Sequence, residues 1–250
     1  MPQNSPKIIS LVPSWTETLV AAGVHVVGRT RFCIHPDQMV NNIPILGGTK
    51  NINIDEIKKI NPDFILLDKQ ENTKEMAELI SSVGIKLLIT DITNFDSLIQ
   101  SCHYLAMNLN NKYLESIAQR YQLVIDSKSK MSKIKFLSAV LLIGDLAILN
   151  NIDDFEYVIW KNPFMVIGQS TFISANFDLI GIKFNHQEKY PEISDEQLKK
   201  SGCFFSSEPF PFSNKFQELS QLGYRGIVVD GEKISWFGIR NLIFLESVLK

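Results

Sequence analysis

The stretch at 8–12 is apolar except for Ser10, too short for a helix and continuous enough for a strand buried on both faces. Pro13 and Ser14 lead into a helical pattern of Leu19, Val20 and Ala22 that stops at Gly23, with Ser14 and Glu17 at the spacing of a capping box. A second short strand is expected at 24–28. The apolar stretch at 43–46 runs into a turn at Gly47 and Gly48, and a short helix at 55–60 is stopped by Pro62. A strand at 64–67 follows. Asn72 and Glu75 repeat the capping spacing ahead of Met76, Leu79, Ile80 and Val83, which share one helical face closed by Gly84. After a strand at 85–90, Leu98, Ile99, Cys102, Leu105, Ala106 and Leu109 mark an amphipathic helix. Strand and helix alternate with no hairpin signal, which predicts a mostly parallel sheet with covering helices.

The alternation then stops. Tyr113, Leu114, Ile117, Ala118, Tyr121, Val124 and Ile125 form a long helical stripe, which the pattern carries past the polar stretch at 126–133 into the apolar run at 136–149. Beyond it come a strand at 155–160, a helix at 171–179, a capping box at Ser194 and Gln197, and a strand at 203–206. A helix at 214–222, a strand at 226–229 and a helix at 239–248 complete the chain. The expected fold class is α/β, with two Rossmann-like lobes at 1–110 and 153–250 and a helical segment at 111–152 joining them. Open α/β sheets bind ligands outside the carboxyl ends of their strands, so an interlobe cleft is the expected site.

Composition narrows the function classes. With 45% hydrophobic and 21% charged residues the chain folds, and 25 Lys and Arg against 27 Asp and Glu give no field to draw in a nucleic-acid backbone. Cys33, Cys102 and Cys203 are too few and scattered for a disulfide framework and read as buried reduced thiols. The run at 136–149, interrupted by Gly144 and Asp145, falls short of the ~20 residues that span a bilayer. Residues 1–7 hold no apolar segment of the roughly 7–15 residues an export signal needs, so a cytoplasmic location is expected, or a periplasmic one if the true N-terminus is longer.

Candidate chemistry is sparse. Gly47, Gly48, Thr49 and Lys50 lack the first Gly and the order of a phosphate loop, and read as a plain turn. Ser14 stands at a strand-to-helix junction without the flanking Gly residues of a nucleophile elbow, so a capping role is expected. His25, His35, His103 and His186 are too dispersed to predict a metal site, and none is assigned. His35 follows Phe32 and Cys33 in a loop at a strand's carboxyl end, where it would line a ligand. Trp15, Trp160 and Trp236 sit at or just after strand ends, with Phe164 and Phe237 near them, and such rings on loops suit a flat, largely apolar ligand. Arg240 and Lys161 are the nearby cations that could hold an acidic group on it. Glu71, Glu75 and Glu78 form an acidic patch at a helix start, for which the helix dipole is a sufficient reason.

An ordered set of segments resembles a known family. KIISLVPSWTE at 7–17, VVGRTRFCIHP at 26–36, the Leu46 to Gly48 turn and NPDFILLDKQEN at 61–72 are similar to the N-terminal lobe of the vitamin B12-binding and siderophore-binding receptors of ABC importers, the helical-backbone metal receptors. IWKNPFM at 159–165, residues 168–173 and 190–193, SEPFPF at 207–212 and DGEKISWFGIR at 230–240 resemble the cobalamin-binding branch. The resemblance implies two α/β lobes bridged by one long helix and a cleft that takes cobalamin or another metal chelate, with an ABC permease as partner and no turnover. Carried over by position, the ligand-binding residues would be Trp15, Phe32, His35, Trp160, Phe164, Trp236, Phe237 and Arg240. The docking carboxylates would fall near Glu75 and Glu208. No cofactor is implied beyond the ligand. The alternative reading is a small cytoplasmic, hydrolase-like enzyme with Ser14 and His35 as a hydroxyl and base pair.

Overall fold

The computed structural model describes residues 5–49, 51–150 and 152–250, and Lys50 and residues 1–4, which the sequence reading touched, lie outside them. The chain divides into two compact units, one holding residues 1–122 and 237–242 and the other residues 123–236 and 243–250.

In the first unit, β1 (Ile8–Ser10), α1 (Pro13–Ala21), β2 (Val26–Arg29), α2 (Asp37–Val40) and α3 (Ile54–Ile60) are followed by β3 (Phe64–Asp68), α4 (Lys74–Ser81), β4 (Lys86–Thr90) and α5 (Phe95–Leu109). Helix α6 (Lys112–Asp126) begins in this unit. The four strands are all parallel in the order β2-β1-β3-β4. Period-2 alternation decides the faces: Ile9, Leu11, Ile65 and Leu67 join Ile57, Met76 and Ile80 in one core.

In the second unit, α7 (Lys133–Val140), β5 (Leu141–Ile143), β6 (Phe155–Trp160), β7 (Met165–Val166), α8 (Phe172–Asp178) and α9 (Asp195–Leu198) precede β8 (Gly202–Ser206), α10 (Phe216–Gln221), β9 (Arg225–Val229) and α11 (Gly231–Ser235), while α12 (Ile239–Leu249) has its first turn in the first unit and the rest in the second. The sheet order is β5-β9-β8-β6-β7, with β6, β8 and β9 parallel and the two edge strands antiparallel. Val158, Cys203, Phe205 and Val228 share one core, whereas Tyr157 and Phe204 join an aromatic cluster in which Phe177 lies 4.9 Å from Phe204 and 5.7 Å from Phe136. Both units are therefore α/β, as the alternation predicts.

Three local expectations are corrected. The stripe through Ile125 does not continue as one helix: α6 ends at Asp126, Lys128–Lys130 make a 3-10 turn, and α7 restarts with Ser132 as its cap. The apolar run then supplies the edge strand β5, because Gly144 takes a φ of 110° and Asp145 caps the next 3-10 turn through the amide of Ala147. Ser14 is not a cap, since Val12 holds that place, Pro13 occupies the first turn, and Ser14 lies buried inside α1. Thr73, not Asn72, caps α4. The box at Ser194 and Gln197 forms as expected.

Candidate functional site

At the carboxyl end of β2, two arginines two residues apart have opposite fates. Arg29 is buried, and its Nε donates to the carbonyls of Val40 (2.9 Å) and Ile43 (3.1 Å) while one terminal nitrogen donates to those of Thr30 (3.3 Å) and Cys33 (3.1 Å). One guanidinium thus ties together the loop from 30 to 43. The Cys33 thiol, held against Thr16 and Thr30 at 3.0 and 3.2 Å, pins the same loop from below, and burial pushes its pKa up.

Arg31 instead points out of this frame, its guanidinium 5.0 Å from the centre of the Phe32 ring. Arg31, Phe32, Gly47, Gly48, Thr49 and Asn51 line a pocket of about 380 Å³. Its floor is fixed by the backbone: Arg31 N donates to Gly47 O (2.9 Å) and Gly48 N to Asn51 O (2.8 Å). Gly47 has a φ of 141°, and a Cβ there would run into the Asn51 carbonyl. A Cβ on Gly48 would touch both Arg31 and Phe32 at 3.4 Å, so its absence leaves the pocket open beside them. The buried amide of Asn72 steadies the far side by donating to Leu11 O and Thr49 O while accepting from Asp68 N.

Phe32 is 46% exposed at this rim, and His35, half-buried, precedes the cis Pro36. Trp15 and Phe237 have another place. Trp15 is 0% and Phe237 4% exposed, and their rings meet edge-on at 5.2 Å. The Trp15 indole N–H donates to Thr90 Oγ1, whose hydroxyl donates in turn to Asp68 Oδ2 at 2.6 Å. Burial raises the Asp68 pKa, although Thr90 and the amides of Gln70 and Ile92 oppose it. Rings sealed in this way are packing, so the expectation that Trp15 and Phe237 form ligand-facing walls is corrected. Arg240 is likewise engaged, by a bidentate pair with Glu17.

At the carboxyl edge of the second sheet, Trp160 is 41% exposed and lies 5.6 Å from Phe210, edge to face. Phe164 packs on Tyr224 at 5.4 Å against the core, and Lys161 pairs with Glu218 at 2.7 Å. Trp236 is half-buried and donates its indole N–H to Glu208 Oε1 (3.2 Å), which also accepts from the Ser235 hydroxyl (2.7 Å). Burial pushes the Glu208 carboxyl above its ordinary 4.5. Glu208 is therefore folded back onto α11 and is not a protruding docking group, whereas Glu75 stands exposed in the first turn of α4. Ser14 has no imidazole within hydrogen-bond distance among the described residues, which leaves the hydrolase alternative unsupported.

The predicted residues thus separate into exposed rings, Phe32 and Trp160, and packed or paired groups. Arg29 and Arg31 were missing from the expected set. Their signal is two cations at alternate positions of a strand exit, GRTR, next to a paired glycine turn. Among the described residues no three His, Cys, Asp or Glu side chains gather as a metal site, and no helix is long and apolar enough to cross a membrane.

No family model matches the chain. The vitamin B12-binding protein of Salmonella choleraesuis (strain SC-B67) is 24% identical over 102 residues, which is 41% of this chain and 38% of that protein. That of Photorhabdus laumondii is 28% identical over 102 residues, 40% of this chain and 37% of its own. The matched stretch spans under two-fifths of these relatives. Among solved structures, the periplasmic vitamin B12-binding protein of Vibrio cholerae superposes with a TM-score of 0.71 at 20% identity, covering 98% of this chain and 95% of that one. A periplasmic heme-binding protein from Pseudomonas aeruginosa gives 0.75 at 15% identity, over 98% and 91%. The chain has the two-lobe α/β fold of these vitamin B12-binding and heme-binding proteins. The solved neighbours are described as periplasmic, so the expected cytoplasmic location finds no support among them.

Proposed function

We propose that this chain is a substrate-binding protein of the ABC-importer type that takes cobalamin or a related metal chelate and carries out no turnover. The observation that carries this reading is the sequence match with proteins named vitamin B12-binding, found in a chain whose fold is that of B12-binding and heme-binding proteins. The site chemistry supports it. Each unit presents one exposed ring at the carboxyl edge of its parallel strands, Phe32 in the first and Trp160 in the second, and flat aromatic surface suits a flat macrocycle. The partners on this reading are the chelate and an ABC permease, with no resident cofactor, and the location is the one its solved neighbours have.

A thermal-shift series with hydroxocobalamin, cobinamide, hemin and ferric desferrioxamine tests it. Ligand that binds only the folded chain raises Tm as RT ln(1 + [L]/Kd), so one chelate at about a hundred times its Kd adds about 2.7 kcal/mol. No shift with any of the four at concentrations well above micromolar would remove the function.

A further inference from the structure

Several cations on this chain are held by partners. Lys59, Lys69, Lys161, Lys199 and Arg240 each lie within 3.5 Å of a carboxylate oxygen, and Arg29 spends its donors on four carbonyls. Arg31 is different. Among the described residues no carboxylate lies within ion-pair distance of it, and the other described residues lining its pocket are Phe32, Gly47, Gly48, Thr49 and Asn51, none of them acidic.

Its placement is nevertheless built. The backbone on either side is fixed, by Arg31 N on Gly47 O and by Phe32 N on the Thr30 hydroxyl, so the side chain leaves from a rigid point. The Phe32 ring lies 5.0 Å under the guanidinium carbon, and the missing side chain at Gly48 keeps space open beside both groups. A flat guanidinium over an exposed ring offers two surfaces together: an apolar face for a macrocycle, and a fork of N–H donors that matches a carboxylate or phosphate in two-point contact.

Resting on the function proposed above, we infer that the natural ligand is a metal chelate bearing an acidic oxygen group on its periphery, and that Arg31 is the residue that recognises this group while Phe32 carries the ring. The chain's net charge of -2 offers no general attraction for such a ligand, so discrimination must come from a local cation.

Two probe pairs test the inference on the full chain by equilibrium dialysis: hemin against its dimethyl ester, and hydroxocobalamin, which holds a phosphodiester, against cobinamide, which lacks it together with the ribose and base. In at least one pair the acidic member should bind about tenfold or more tightly than its neutral partner, the size expected of a charge-assisted hydrogen bond. Arg31→Gln should abolish that preference by weakening the acidic member more than the neutral one, and Arg31→Lys should restore part of it. Raising salt should erode the preference in the wild type and not in Arg31→Gln. Equal binding within both pairs, or a preference that survives Arg31→Gln, overturns the inference while leaving the chelate-binding function standing. Failure of all four probes to bind the wild type removes both.

Discussion

Arg240 holds Glu17 through two parallel hydrogen bonds, Nε to Oε2 and Nη2 to Oε1, each at 2.8 Å. The pair fastens the first turn of α12 to α1, beside a second clasp in which the Thr18 hydroxyl accepts from Ile239 N at 3.0 Å. Both side chains are largely covered, Glu17 more than Arg240, so removing the cation strands a shielded carboxylate. Arg240→Gln should cost about 1–3 kcal/mol in urea unfolding and leave the Kd of any bound chelate unchanged. A large loss of affinity at unchanged stability would return Arg240 to the ligand.

Glu208 predicts a pH dependence. Burial holds its folded pKa above the ordinary 4.5, so the folded state retains the proton more readily than the unfolded one. The stability linked to this group is then fully present below about pH 4.5 and declines as pH rises through the folded value. In Glu208→Gln the Oε1 acceptor for Ser235 and Trp236 remains while the charge is gone. The variant should gain stability relative to wild type on going from pH 4.5 to pH 7.5, read as the difference between two urea-denaturation series. A difference that stays flat or reverses would show that the carboxylate is not penalised in the fold.

The split among the aromatic residues is testable by stability alone. Trp15→Ala removes a fully buried ring and its hydrogen bond to Thr90, and should cost about 3–5 kcal/mol. Phe32→Ala and Trp160→Ala act on rings that are nearly half exposed and should each cost about 1 kcal/mol or less. Chemical denaturation of the three variants decides the matter, and comparable losses at all three would dissolve the distinction.

What the sequence made legible follows from the range of the interactions. The strand at 155–160 has the bounds of β6, and the box at Ser194 and Gln197 forms, because periodicity and a three-residue capping spacing are local. Ser14 and Glu17 have the same spacing and fail, since Pro13 fits the first turn and Glu17 is drawn to a residue more than two hundred positions away. The cap of α4 falls one residue after Asn72 for a similar reason: the Asn72 amide serves Leu11, Thr49 and Asp68, and Thr73 is left to cap α4. The antiparallel edges β5 and β7 span three and two residues, too few for any pattern. The site was legible as a list of aromatic residues at strand ends, but not which of them are sealed. Trp15 and Phe32 both follow strands, and only the packing of Phe237 and Thr90 on Trp15 separates them.

Equilibrium dialysis of the purified chain against hydroxocobalamin and hemin, followed by absorbance on the protein side, measures the central claim without an assay for a partner. Saturable retention of at least one chelate at one molecule per chain is expected, weakened by Phe32→Ala with the unfolding midpoint little changed. Equal concentrations of both chelates on the two sides of the membrane would contradict it.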